Sequence, residues 1–242
     1  MTRIELAYGR GSRTLDFDED RFSVLTTGTD GGTPLSDFEV GTAFDSVDEI
    51  AGADDSVLIV VSDATRATAS AQVVNLLVRR LIQAGVSPAR MAVIFATGIH
   101  RPVSEKEKVE LLTPFITQRL RILQHDPHNI SKLTTLGQTQ NGVTVEVNSA
   151  LKEFSRVFLT GGITFHYFAG FTGGRKSICP GLASTKTIEA THMLALDFER
   201  GGRKAGVGAG LLDGNAVHEE CERVAALVAP AFGINAIVNE EK

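Results

Sequence analysis

The chain has 242 residues, of which 43% are hydrophobic and 22% charged, enough apolar material for one large α/β domain or two small ones. A formal net charge of −5 argues against a nucleic-acid partner, and the two cysteines, Cys179 and Cys221, make no disulfide framework. No apolar run approaches bilayer-spanning length and Met1–Glu5 lacks the apolar stretch of a signal peptide, so a cytoplasmic location with no membrane partner is expected.

Residues 1 to 25 alternate apolar and polar positions in places around Arg10-Gly11-Ser12, which predicts a β-hairpin. Residues 26 to 40 are rich in Gly, Thr and Asp and read as a surface loop. The first α/β unit starts at Ser56. Val57-Leu58-Ile59-Val60-Val61 is a continuous β-branched run, the pattern of a strand buried on both faces, and it ends in Ser62-Asp63-Ala64-Thr65-Arg66. A helix follows to about Ala84, with one apolar stripe at Val73, Leu77 and Leu81, a second at Val74, Val78 and Ile82, and Gly85 where a C-terminal cap belongs.

The unit then repeats in type. Met91–Ala96 is a second buried strand, Thr97–Pro102 its carboxyl-end loop, and Ser104 with Glu107 forms a capping box for the next helix. Gln140-Asn141-Gly142 reads as a hairpin turn, and Arg156–Leu159 as a third buried strand opening into a Gly-rich stretch. The fold class is therefore α/β: a mainly parallel, Rossmann-like sheet with helices on both faces, plus the N-terminal hairpin. Ligands bind such sheets at the carboxyl ends of the strands.

Those ends hold the unusual chemistry: Asp63 and Arg66, then His100 and Arg101, then His166, Arg175, Lys176 and His192. Each has a plainer reading. Asp63 would also serve as a helix cap, Arg66 as a solvated charge, and a lone loop histidine as a hydrogen-bonded structural residue. The weight lies in their gathering at one sheet edge. Gly170–Gly181 is the most distinctive stretch. Its glycines, among them Gly173 and Gly174, admit an anion to the backbone, and Arg175 and Lys176 add positive charge, so a phosphate is the natural ligand. It is not a P-loop, since the position before Lys176 is Arg175 and not glycine. His-Glu-x-x-His, paired-cysteine and Asp-rich calcium motifs are absent, which leaves no support for a protein-only metal cage. His125, His128 and His218 read as structural, and Cys179 as a small buried residue.

Taken in order, Ser62-Asp63-Ala64-Thr65-Arg66, Thr97–Pro102, His166–Ser177, Pro180-Gly181 and His192 resemble the lactate racemase family over nearly the whole chain, with Leu6–Gly9 and Leu212–Asn215 in support. The resemblance implies a racemase or epimerase of 2-hydroxyacids that works by reversible hydride transfer to a nickel pincer nucleotide. That cofactor is a pyridinium-3-thioamide-5-thiocarboxylate mononucleotide carrying nickel. It implies Lys176 as the covalent tether, His192 as the nickel ligand, His100 and His166 as the acid/base pair, and Arg66 on the substrate carboxylate. Asp63, Thr65, Gly173, Gly174, Arg175 and Ser177 would contact the cofactor. Histidine suits the proton steps because its unperturbed pKa lies near ~6.5, and a guanidinium fork matches a carboxylate. Ala67 stands where proline is common in the family and Thr172 where serine is common.

The domain organisation expected is a cofactor-binding catalytic domain over residues 1–230, with 231–242 opening a second domain that is absent from this chain and would supply further substrate contacts. The partners expected are a small 2-hydroxyacid and that domain. The rivals are an epimerase of a larger 2-hydroxyacid and a non-catalytic paralogue that binds a phosphorylated ligand or cofactor. An NAD dehydrogenase is disfavoured, because no Gly-x-Gly-x-x-Gly follows a strand.

Overall fold

The structure is a computed structural model that describes residues 2–9, 11–23 and 32–238. It divides into an N-terminal unit and a main unit that begins at Pro34. The N-terminal unit is the hairpin expected: β1 (Thr2–Tyr8) pairs antiparallel with β2 (Gly11–Phe17), from Thr2 opposite Phe17 to Tyr8 opposite Gly11.

Residues 26–31 of the predicted loop lie outside the described residues, but residues 37–40 are helical. They open α1 (Asp37–Thr42), where Ser36 and Glu39 satisfy each other's backbone N–H in a capping box. After α2 (Val47–Ile50) come β3 (Val57–Ser62), α3 (Ser70–Gln83), β4 (Met91–Ala96), α4 (Glu105–Thr117) and β5 (Arg121–Gln124). An antiparallel pair, β6 (Leu133–Gln138) and β7 (Thr144–Asn148), and a short α5 (Ala150–Glu153) lead to β8 (Arg156–Gly162). Beyond it lie β9 (Phe165–His166), β10 (Gly170–Phe171), a 3-10 turn at Gly174–Ser177 and α6 (Thr185–Met193). The chain ends with β11 (Leu196–Asp197), β12 (Gly202–Arg203), α7 (Ala216–Val228) and β13 (Phe232–Ala236).

The main sheet is five-stranded and wholly parallel, in the order β13-β8-β3-β4-β5. Its two faces are both covered, so its central strands carry no polar face. Val57, Ile59 and Val61 of β3 pack with α3 and α4, through Leu77, Leu81 and Leu112. Leu58 and Val60 point the other way, into a core with Leu151, Ile188, Val217 and Val224 from α5, α6 and α7. The second core holds Cys179 and Cys221, both buried and free. Phe232–Ala236, placed by sequence beyond a boundary at residue 230, pairs with β8 and forms one edge of this sheet.

The order locates the ligand crevice. From β3 the chain winds outward through β4 to β5, and from β8 it winds the opposite way to β13. β3 and β8 are neighbours, so the winding reverses between them, and the crevice outside their carboxyl ends is where a doubly wound sheet binds its ligand.

Candidate active site

A cleft of about 450 Å³ opens at this switch point. It draws residues from all three strand-end loops: Asp63, Thr65 and Arg66 after β3; Thr97 and His100 after β4; His166, Gly173, Lys176, Ser177 and His192 after β8. Of the residues singled out from sequence, only Gly174, Arg175 and Arg101 stand outside its lining.

Asp63 organises the first two loops. It is buried at the end of β3, and its Oδ1 accepts the Thr65 N–H at 2.8 Å and the Thr65 hydroxyl at 2.5 Å. Its Oδ2 lies 2.7 Å from Nδ1 of His100. Burial opposes ionisation of this carboxyl, but the hydrogen bonds from Thr65 and His100 outweigh it and hold its pKa below the ordinary range. An ionised carboxylate only accepts, so in its neutral form the His100 ring carries its proton on Nδ1 and its lone pair on Nε2. The capping role open to Asp63 from sequence is not the one it takes, since α3 begins at Ser70 after Ala69. Arg101 turns out of the cleft to grip Glu107 through both guanidinium nitrogens, at 2.8 and 2.6 Å.

The Gly-rich stretch is shaped by close backbone approach. Gly173 has φ +83°, and a Cβ there would stand 2.6 Å from Oδ1 of Asn235, the same oxygen that accepts the Gly174 N–H at 2.9 Å. The Gly174 amide is thus spent on β13, not left free for an anion. Gly181 locks this stretch to the second loop: its carbonyl accepts the Gly98 N–H at 2.8 Å, and its own N–H donates to the Lys176 carbonyl at 3.0 Å. Arg175 is turned inward. It donates to the carbonyls of Ala169 and Phe171 at 2.9 and 3.2 Å, so its charge braces the loop and does not line the cleft.

Lys176 and His166 meet inside the cleft, with Nζ and Nε2 3.2 Å apart. Burial pushes the Lys176 ammonium down to about 8; the Cys221 thiol opposes the shift, while Arg175 and Arg66 favour it. Burial, then the neighbouring Lys176 and Arg66, push His166 down to about 4. His192, in the last turn of α6, donates from Nδ1 to the Ile188 carbonyl at 2.8 Å. Its Nε2 therefore keeps a lone pair, and burial lowers its basicity further. Phe168 packs edge-on against both His166 and His192, with ring centroids 4.5 and 5.0 Å away. Arg66 is exposed, with no ion pair found for it among the described residues.

Several contributors were not among the expected site residues. Asn235 braces Gly173 and Gly174 from β13. Thr172 ties the loop to β8 through the Gly162 carbonyl at 2.6 Å. Thr97 brings a buried hydroxyl with no hydrogen-bond partner among the described residues into the cleft wall. No group of three or more His, Cys, Asp or Glu side chains suited to a metal ion occurs among the described residues. His125 is structural: its Nε2 lies 3.0 Å from the Ala183 carbonyl and its Nδ1 3.2 Å from the Asn148 amide.

A doubly wound α/β fold, with a lysine and three histidines lining the cleft at its switch point, is the class this structure defines. The sequence model of the lactate racemase N-terminal domain matches residues 33–202, and the chain belongs to that family. It is 30% identical to a lactate racemase of Lactiplantibacillus plantarum over all of this chain and 58% of that protein. It is 26% identical to a lactate racemase of Thermoanaerobacterium thermosaccharolyticum over 99% of this chain and 57% of that protein. The chain thus spans less than three-fifths of the length of these relatives. Among solved structures, the lactate racemase apoprotein of T. thermosaccharolyticum matches with a TM-score of 0.77 at 24% identity, over 95% of this chain and 54% of that one. A Thermotoga maritima protein matches with a TM-score of 0.64 at 22% identity, over 82% of this chain and 49% of that one. These two likenesses establish the fold. No helix among the described residues is long and apolar enough to cross a membrane.

Proposed function

We propose that the cleft is the catalytic site of a racemase or epimerase of small 2-hydroxyacids that works with a nickel pincer nucleotide. The observation that carries the reading is that Lys176, His100, His166 and Arg66, drawn from three separate loops, and His192 from α6 line a single cleft. The donor chemistry fits the group. His192 offers one neutral imidazole lone pair, which suits a metal held mainly by ligands outside the protein. Lys176 offers an amine of reduced basicity, and the orphaned Thr97 hydroxyl lacks only a polar partner. When bound, the group supplies reversible hydride acceptance from the substrate carbon, the step this chain's own side chains do not provide.

The protein's part is to bind, orient and move a proton. Arg66 presents an unpaired guanidinium to the substrate carboxylate. His100, held by Asp63 with its Nε2 lone pair free, takes the hydroxyl proton as the substrate is oxidised to a planar keto acid. His166 is the acid/base partner for the other enantiomer and faces the substrate oxygen with its Nε2–H, and Phe168 and Ile188 line the same cleft. Substrate enclosure falls to a second domain, as the sequence reading expects.

The test is to produce the protein, extended to the length of its relatives, together with the cofactor-synthesis enzymes. Nickel content, intact mass and chiral analysis of several 2-hydroxyacids are then measured. A nickel-bearing adduct that interconverts enantiomers supports the proposal. Adduct formation without turnover of any 2-hydroxyacid would point to the non-catalytic paralogue instead.

A further inference from the structure

The contact between His166 and Lys176 has only one chemically allowed polarity, and the reason lies in the loop that follows β9. Nδ1 of His166 faces two backbone N–H groups, from Ala169 at 3.1 Å and Phe168 at 3.4 Å. Both donate, so Nδ1 must present its lone pair, and the ring proton of the neutral imidazole sits on Nε2. Nε2 is also the atom 3.2 Å from the lysine nitrogen. An ammonium donating to it would require lone pairs on both ring nitrogens, which is an imidazolate. The remaining arrangement has Nε2–H donating to the lone pair of an uncharged amine.

We infer that His166 is a positioning residue for Lys176: its own loop fixes it as the Nε2–H tautomer, and that N–H holds the lysine in the cleft as an uncharged amine whose lone pair becomes available when the contact opens. The charged and titratable neighbours are consistent with this. Arg66 reaches the pair from the loop after β3 and Arg175 from the 3-10 turn, and both disfavour a further cation. His192 acts on His166 in the same direction from α6. Cys179 and Cys221 are the groups that oppose it at the lysine. His100 is the mirror case, with its proton on Nδ1 and its lone pair on Nε2. The two histidines therefore enter the cleft in opposite tautomers.

The inference deepens the proposed function, on which it rests for its purpose: a tethering lysine must attack as the amine. The Nε2–H contact opens, and the lone pair it releases forms the N–C bond to an acyl or thioacyl carbon of the incoming group. The bond from that carbon to its leaving group breaks, and the leaving group departs with the electron pair and is protonated by the proton the nitrogen loses. An ammonium has no lone pair for this, and burial alone would lower the charge without aiming the nitrogen.

Two measurements on protein made without cofactor test it. Long-range nitrogen–proton NMR, with His166→Ala to assign the signal, should show a pyrrole-type Nε2 and a pyridine-type Nδ1 for His166, and the reverse for His100. Acetylation by a water-soluble N-hydroxysuccinimide ester at neutral pH, read by peptide mass spectrometry at Lys176 against exposed Lys152, gives the second readout. His166→Ala, which removes the N–H that favours the uncharged amine over the ammonium, should slow labelling of Lys176 about fivefold, the ratio for about 1 kcal/mol. His166→Gln, which restores an N–H donor, should recover most of it. A pyrrole-type Nδ1 at His166 in the parent protein overturns the inference, as do equal Lys176 labelling rates in all three proteins. If both measurements hold while the cofactor attaches elsewhere, it is the tether assignment that fails.

Discussion

Asp63→Asn changes one atom type in the cleft and has a consequence that follows from three contacts. In the parent, Oδ1 takes two donors from Thr65 and Oδ2 takes the His100 Nδ1–H. An asparagine has one oxygen and one NH2. Turning the NH2 toward Thr65 would set it against the Thr65 backbone N–H, so the oxygen stays there and the NH2 faces His100. Nδ1 must then accept, and the ring proton moves to Nε2, the atom that in the parent carries the basic lone pair. Losing a charge-assisted hydrogen bond at a buried carboxylate costs about 1.5–3 kcal/mol of stability. The functional loss is larger, because a base that holds its proton on the wrong nitrogen forfeits the ~10²–10⁴-fold of general base catalysis. Chiral analysis of holo protein should show that loss with cofactor attachment at Lys176 intact, and nitrogen NMR of unloaded protein should show the tautomer reversed. Racemisation within about threefold of the parent, well inside what a lost general base removes, would refute the reasoning, as would a His100 that keeps its proton on Nδ1.

Other outcomes follow from the same geometry. Gly181→Ala places a Cβ 2.4 Å from the Ser177 carbonyl oxygen and 2.7 Å from the Ala96 Cβ; overpacking against backbone should cost about 3 kcal/mol and lower the Tm by roughly 6–12 °C in a thermal melt. His192→Ala should abolish nickel retention in holo protein and leave the melt nearly unchanged, whereas His218→Ala should keep the metal, since His218 lies outside the cleft and its Nε2 is 3.5 Å from Glu222; elemental analysis of both variants decides between them. Burial is the first cause that depresses the pKa of His125, His166, His192 and His218 in the folded protein. The unfolded chain therefore takes up more protons below its ordinary histidine pKa of 6.5, and stability falls as the pH drops from there to the His166 value of about 4. Urea midpoints across that window should decline steadily, and a flat profile would contradict the burial of these imidazoles.

What was legible in the sequence was whatever local periodicity and turn chemistry determine. The β-branched runs of β3, β4 and β8, the Asn141-Gly142 turn and the Ser104–Glu107 box stand where the pattern put them. The Ser36–Glu39 box was equally present, but the Gly, Thr and Asp around it made the segment read as loop. The four residues of β5 are too few to show a period. α4 hides a break at Thr113, whose φ is +63°, beside Pro114. Residue types at strand ends pointed to this cleft, because a parallel sheet gathers those ends along one edge. Pairing within it was not legible. The Asp63–His100 bond joins residues 37 apart, the inward turn of Arg175 depends on where two carbonyls point, and Asn235 matters only because β13 lies alongside β8. Arg101 found a local partner, Glu107, at the start of α4, so its charge never reached the ligand space.

The central claim is that this cleft carries a covalently tethered, nickel-bearing cofactor at Lys176. Peptide mass spectrometry of protein produced alongside the cofactor-synthesis enzymes measures it most directly. The account predicts a mass increase that maps to Lys176 in the parent and disappears in Lys176→Ala. An adduct that survives in Lys176→Ala, or a parent protein that stays unmodified while a known lactate racemase made in the same cells is loaded, would contradict it.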